Sequence, residues 1–224
     1  MIIAKNNKYS TYEIVISGQD KYDLTSSKES VKDYTSLIGT DVKGLKIGIP
    51  NYYMSDVIDT EVKNKVLDVV KTLEKNGCTI DYIDIDYLKY AIPLYQVIAL
   101  GEASSNLARY DGVKFGLSSD SKDLESLYKE TRTNGFGKEV KRRIMIGSYI
   151  LSGENAQNYY YKALKLRRAM TDSFKEKLSQ YDLLIGPTNT SVAYKLGTKC
   201  DDALKSFYDD ILTIPFNMSG NPAL

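Results

Sequence analysis

Histidine is absent from all 224 residues of this chain. That removes Ser–His–Asp and Cys–His nucleophiles and imidazole-based metal sites in one step. Any catalysis must use lysine, tyrosine, carboxylates or backbone groups. Cysteine is nearly absent: Cys78 and Cys200 stand alone, with no CxxC pairing. A disulfide framework is therefore excluded, and a reduced, cytoplasmic protein with two small buried thiols is expected. Neither sign of charge dominates, because 30 basic and 29 acidic residues leave a net charge of +1. No basic stripe announces nucleic acid as a direct ligand. No apolar run approaches the ~18 residues of a membrane span. The start, "MIIAKNNKYSTYEIV", lacks the apolar core and cleavage site of a signal peptide. Phosphate-binding glycine signatures are missing too: there is no GG dipeptide, no GxGxxG and no Walker loop.

What remains is a folded chain, with 42% hydrophobic and 26% charged residues. "LKIGIP" (45–50) reads as a short buried strand. In "DTEVKNKVLDVVKTLEKNG", Val62, Val66, Val69, Val70 and Leu73 form a helical stripe, with Asp59 placed as N-cap and Gly77 as a left-handed C-cap. "CTIDYIDID" (78–86) alternates like a second strand. Strand, helix, strand with short connections is a βαβ unit, which implies a parallel sheet covered by helices. Helices are expected over 88–109, 123–132, 137–152 and about 155–180. "DLLIGPT" (182–188) reads as a short strand, and "DALKSFYDDILTIPFN" (202–217) as a helix running into a strand. The fold class is α/β, with helices outnumbering strands and a sheet that is incomplete at both termini.

Several constellations have chemical potential. In "GEASSNLARYDGVKFG" (101–116), small residues allow a close backbone approach, and Asn106, Arg109 and Asp111 are available to face a ligand. "NGFGKE" (134–139) is either an anion-holding helix start or a loop needing positive φ. Arginine is scarce, six against 24 lysines. "EVKRRIMIG" sets Arg142 and Arg143 side by side on a helix, where neighbours point about 100° apart and are not expected to serve one site. Arg167 and Arg168 form a second such pair, read as solvated. Asp209 and Asp210 sit near a helix C-terminus, against the macrodipole, which suggests a cationic partner or a solvated pair. The tyrosines of "NYYY" (158–161) read as a helix face, half core and half surface. None of these defines a reaction by itself.

Five segments together are more specific: "DYTSLIGTDVKGLKIGIP", "GEASSNLARYDGVKFG", "GFGKEVKRRIMIG", "DLLIGPT" and "LTIPFNMSGNPAL". With "ISGQDKYDLTSS" (16–27), they resemble the amidase signature family, and within it the A subunits of bacterial glutamyl-tRNA(Gln)/aspartyl-tRNA(Asn) amidotransferases. The resemblance runs from about residue 12 to the end. It implies an α/β domain on a mixed central sheet and a Ser–cis-Ser–Lys triad, whose GGSSGGS-like loop and lysine this sequence does not contain. Residues 1–224 are thus expected to be a partial amidase domain, a middle-to-C-terminal fragment with no catalytic residue of its own. The resemblance further implies glutamine as ligand, held by Tyr95, Arg143 and Asp210. Residues 101–116 would form one wall of that site. It implies B and C partner subunits, aminoacyl-tRNA reached through the B subunit, and no cofactor in this chain, ATP and magnesium being used by a partner subunit. The competing reading is an inactive, shortened paralogue that keeps only binding or assembly surfaces. A sheet cut at both ends also predicts poor stability of the chain alone, which a monomeric, cooperative melt of the purified 224 residues would contradict.

Overall fold

The computed structural model describes residues 18–31, 33, 35–36, 38–197 and 209–223. Strand β1 (Lys46–Pro50) is buried on both faces after its first residue, as a central parallel strand must be. Helix α1 (Thr60–Lys75) lays Val66 and Val70 over it, and these join Ile47, Ile49, Cys78 and Ile185 in one apolar cluster. Cys78 is a free, buried thiol, as a small hydrophobe would be; Cys200 lies outside the described residues. Strand β2 (Thr79–Ile83) pairs parallel to β1 in the register Ile47↔Ile80 and Ile49↔Tyr82. Strand β3 (Leu183–Leu184) adds on the other side, giving the order β2-β1-β3. Gly48 is glycine for a packing reason: a Cβ there would lie 2.7 Å from Ile83 Cδ1 and 2.9 Å from Leu184 Cδ2. The flanking strands close over that point.

The larger core is helical. Helix α2 (Ala91–Leu107) supplies Leu94 and Ile98. Helix α5 (Tyr161–Leu178) supplies Ala163, Met170 and Phe174, and the short helix α6 (Ile214–Ser219) supplies Ile214 and Met218. The Phe216 ring bridges Phe174, at 5.6 Å between centroids, and Tyr53, at 6.1 Å. Arg167 Nε donates to the Met218 carbonyl at 2.8 Å, which ties α5 to the end of α6. Between these elements lie α3 (Leu124–Gly135) and α4 (Lys138–Leu151), the latter packed along α2. Asp123 caps α3 by accepting from the Ser126 N–H at 2.9 Å.

The βαβ unit and its caps follow the sequence reading, with Gly77 at φ 84° just past the Asn76 cap. Asp59 stands at the N-cap of α1, but its side chain makes no capping bond. Other expectations change. The apolar run at 212–217 is not a strand. Asp210 carbonyl accepts from Thr213 and Ile214 N–H, and Pro215 opens a helix in the first turn, where its missing N–H costs nothing. Its apolar residues are there because they enter the helical core. The part of that reading over 202–208 lies outside the described residues. Residues 88–90 form a 3₁₀ turn entered through Tyr87 at φ 72°, so α2 begins at Ala91. The long helix from 155 carries a π-helical turn over Ala156–Tyr160. Arg167 is not simply solvated, since its guanidinium grips a carbonyl; Arg168 pairs on the surface with Asp172.

Tyr53 is buried, and among the described residues its hydroxyl has no hydrogen-bond partner. Burial pushes its pKa well above the ordinary phenol value. An unsatisfied buried hydroxyl is destabilising, so Tyr53→Phe should stabilise this chain against urea by roughly 1 kcal/mol or more. Phe174→Ala, by contrast, should cost about 3–5 kcal/mol through the cavity it leaves. Denaturation midpoints of the two variants check both signs.

Candidate functional site

The small residues of 101–116 do bring a backbone close, and what approaches is helix α4. A Cβ on Gly147 would lie 2.0 Å from the Leu100 carbonyl oxygen and 2.6 Å from Ser104 Cβ. Only glycine fits there. Ser104 and Ser148 hydroxyls meet at 2.9 Å beside this crossing. Gly101 faces the Tyr160 ring and Leu151, and Tyr160 hydroxyl donates to Glu102. The end of α2 is held by Arg132, whose Nη1 donates to the Leu107 and Tyr110 carbonyls at 3.3 and 3.2 Å. Asp111 is engaged within its own turn. Its carboxylate accepts the Val113 and Lys114 N–H groups, which hold its pKa below the usual value. Gly112, at φ 83°, rests against buried Thr131. Asn106 and Arg109 are exposed.

The "NGFGKE" segment contains no positive φ. Gly135 ends α3, and Gly137 is the N-cap of α4 at φ −65° and ψ 164°. The chain turns at extended Phe136, whose ring meets Tyr110 edge-on and lies beneath the Arg132 guanidinium.

On α4, Arg142 and Arg143 converge on one group, contrary to the sequence expectation. Arg142 donates Nε to Glu139 Oε2 and Nη2 to Oε1, both at 2.8 Å, and Arg143 donates Nε to Oε1 at 2.9 Å. Neighbouring Cα–Cβ bonds do diverge, but Glu139 stands three and four positions before them, and long side chains reach back to it. Hydrogen bonds from the two guanidinium groups, Arg142 first, hold the pKa of the Glu139 carboxyl down at about 2. Residues 139, 143 and 147 follow at intervals of four, so Arg143 lies on the side of α4 that meets α2 at Gly147. Arg142 is turned away from it.

The acidic pair is also divided. Asp209 accepts from Tyr194 hydroxyl and from Thr190 Oγ1 at 3.4 Å, which anchors the preceding loop. Among the described residues its partners are hydroxyls, so it is neither simply solvated nor paired with a cation. Asp210 carries an exposed carboxylate, with its backbone carbonyl starting the turn into α6. A cavity of about 440 Å³ opens at that turn, lined among others by Pro187, Thr188, Thr213, Phe216 and Asn217. Tyr95 sits half-buried on α2 against the helical core. Helices α4 and α6 both pack on α2. Tyr95 and Arg143 therefore stand on two helices that pack together, and Asp210 lies in the turn that leads into a third. Glu139, Arg132 and Thr131 were not read from the sequence as site-building residues; the i, i+3 and i, i+4 spacing of Glu139 to the arginines was the available signal.

This α/β scaffold, in a chain with no histidine, is the setting in which the comparisons with known proteins fall. The chain belongs to the amidase family, whose model matches residues 10–224. Within it, the chain is similar to the A subunit of the glutamyl-tRNA(Gln) amidotransferase of Halalkalibacterium halodurans, 45% identical over 99% of this chain and 46% of that protein. Its counterpart in Thermodesulfovibrio yellowstonii is 45% identical over 94% of this chain and 43% of its own length. Among solved structures, its counterpart from Thermotoga maritima superposes with a TM-score of 0.64 at 34% identity, over 91% of this chain and 39% of the other. A bacterial aryl acylamidase of the amidase signature family shares the fold at a TM-score of 0.65 and 18% identity, over 92% of this chain and 41% of the other. The chain spans less than half the length of the curated relatives it matches. Among the described residues, no helix is long and apolar enough to cross a membrane.

Two outcomes follow from this geometry. The Glu139 carboxyl should titrate near pH 2 by carbon-detected NMR and move toward 4.5 in Arg142→Ala. Because its folded pKa is depressed, the stabilisation from these pairs is present above 4.5 and fades as pH falls through about 2. Gly147→Val should destabilise the α2–α4 contact by roughly 1–3 kcal/mol, measured by urea unfolding.

Proposed function

We propose that this chain is the glutamine-holding part of the A subunit of an amidotransferase. That protein hydrolyses glutamine to glutamate and ammonia, and the ammonia converts Glu-tRNA(Gln) or Asp-tRNA(Asn) to the amidated aminoacyl-tRNA. The observations that carry the reading are an arginine with an open edge on α4, which packs along α2, and an aspartate with an open carboxylate in the turn into α6, which also packs on α2. Arg143 has a guanidinium edge unused among the described residues, and Asp210 has an exposed carboxylate. Free glutamine carries a carboxylate and an ammonium that match this pair. Arg143 takes the α-carboxylate, Asp210 the α-ammonium, and Tyr95 lines the site between the helices.

In this reading Arg143 and Asp210 do no bond-breaking. They fix the amino-acid end so that the side-chain amide projects toward a nucleophile, which converts binding energy into orientation. In this reading the Ser–cis-Ser–Lys triad is supplied from outside this chain. No histidine is required, because lysine and the bridging serine move the proton. The B and C subunits complete the assembly. ATP and magnesium act at a partner subunit, which also holds the tRNA, in keeping with the near-zero net charge here.

The test is glutaminase kinetics on the full-length protein containing this chain, assembled with its partner subunits. Charge-assisted hydrogen bonds contribute about 1.5–3 kcal/mol, so Arg143→Ala should raise the glutamine KM roughly 10- to 100-fold. Asp210→Asn should act in the same direction. Unchanged KM in both variants would remove them from the site. A full-length protein without any glutaminase activity would favour the inactive-paralogue reading instead.

A further inference from the structure

Glu139 divides its carboxylate unequally between two arginines. Arg142 is gripped through Nε and Nη2, so its bidentate edge is filled. Arg143 is gripped through Nε alone, and among the described residues neither of its Nη groups makes a hydrogen bond. The ion pair cancels one of the two positive charges, and Arg142 gives it two N–H groups against one from Arg143. On Arg143 this leaves the Nη1–Nη2 edge, with Nε held at one end.

We propose that Glu139 is a positioning residue for amino-acid recognition: it takes the Nε/Nη2 fork of Arg142 and only Nε of Arg143, presenting the Arg143 Nη edge to the ligand carboxylate. This rests on the assignment of Arg143 to the glutamine α-carboxylate. A free arginine loses rotamer freedom when it grips a ligand; here the Nε bond has already removed much of that freedom before the ligand arrives. A guanidinium also binds a carboxylate best through two parallel N–H groups, and the Nη edge supplies such a pair. The two guanidinium groups hold the Glu139 carboxyl well below the ordinary glutamate range, so it is ionised at neutral pH.

Half-exposed ion pairs contribute little to folding, so Glu139→Gln should keep its thermal midpoint while losing function. In the full-length, assembled protein, it should raise the glutamine KM about three- to tenfold with kcat little changed, the range expected from one side chain's ordering. Glu139→Asp, which keeps the carboxylate, should recover part of the loss. Arg142→Gln should also raise KM, because Glu139 is then released to take the Arg143 fork for itself. A merely structural role would not give that response at a residue turned away from α2. Unchanged or lowered KM in Glu139→Gln overturns the proposal. Arg143→Ala in the same series separates the two readings. If it raises KM and Glu139→Gln does not, only the positioning role fails; if neither changes KM, the glutamine assignment fails with it.

Discussion

Helices α2 and α4 approach so closely at Gly147 that a single Cβ would collide with the Leu100 carbonyl. Much of the architecture around the candidate site depends on that contact. It sets which face of α4 looks toward α2, and that face carries Glu139 and Arg143 at intervals of four residues from Gly147. The Ser104–Ser148 bond and the packing of Gly101 against Tyr160 and Leu151 lie at the same crossing. The small residues that open the 101–116 segment thus act first on the fold. They bring the arginine-bearing helix against the helix that holds Tyr95, and only through that do they act on a ligand site.

The two adjacent like-charge pairs show a common arrangement. In each, one member is engaged inside the chain and the other is left available. Arg142 is filled by Glu139, and Arg143 keeps its Nη edge. Asp209 anchors Thr190 and Tyr194, and Asp210 projects its carboxylate outward from the turn into α6. Within these two pairs, one guanidinium edge and one carboxylate are left open among the described residues.

The β1–α1–β2 unit was legible because its signals are local. A buried strand, a 3.6-residue apolar stripe and a left-handed Gly77 do not depend on distant residues. The run 212–217 was misread because a buried apolar segment looks alike as strand or helix, and here the tertiary core decides. Family resemblance supplied Tyr95, Arg143 and Asp210 as candidates, yet nothing in composition or periodicity singles them out. The convergence of both arginines on Glu139 was foreseeable from spacing but obscured by treating neighbours as divergent. The roles of Gly147 and Thr131 were not legible at all, since each depends on what a second segment, far along the chain, brings against it.

The proposed site depends above all on where glutamine lies. A crystal structure of the full-length protein with glutamine bound would show this most directly. The ligand α-carboxylate should rest on the two Nη groups of Arg143, with Glu139 still on Nε, and the α-ammonium against Asp210. Glutamine bound elsewhere, or bound while Arg143 points to solvent and Asp210 stays unengaged, would contradict that site.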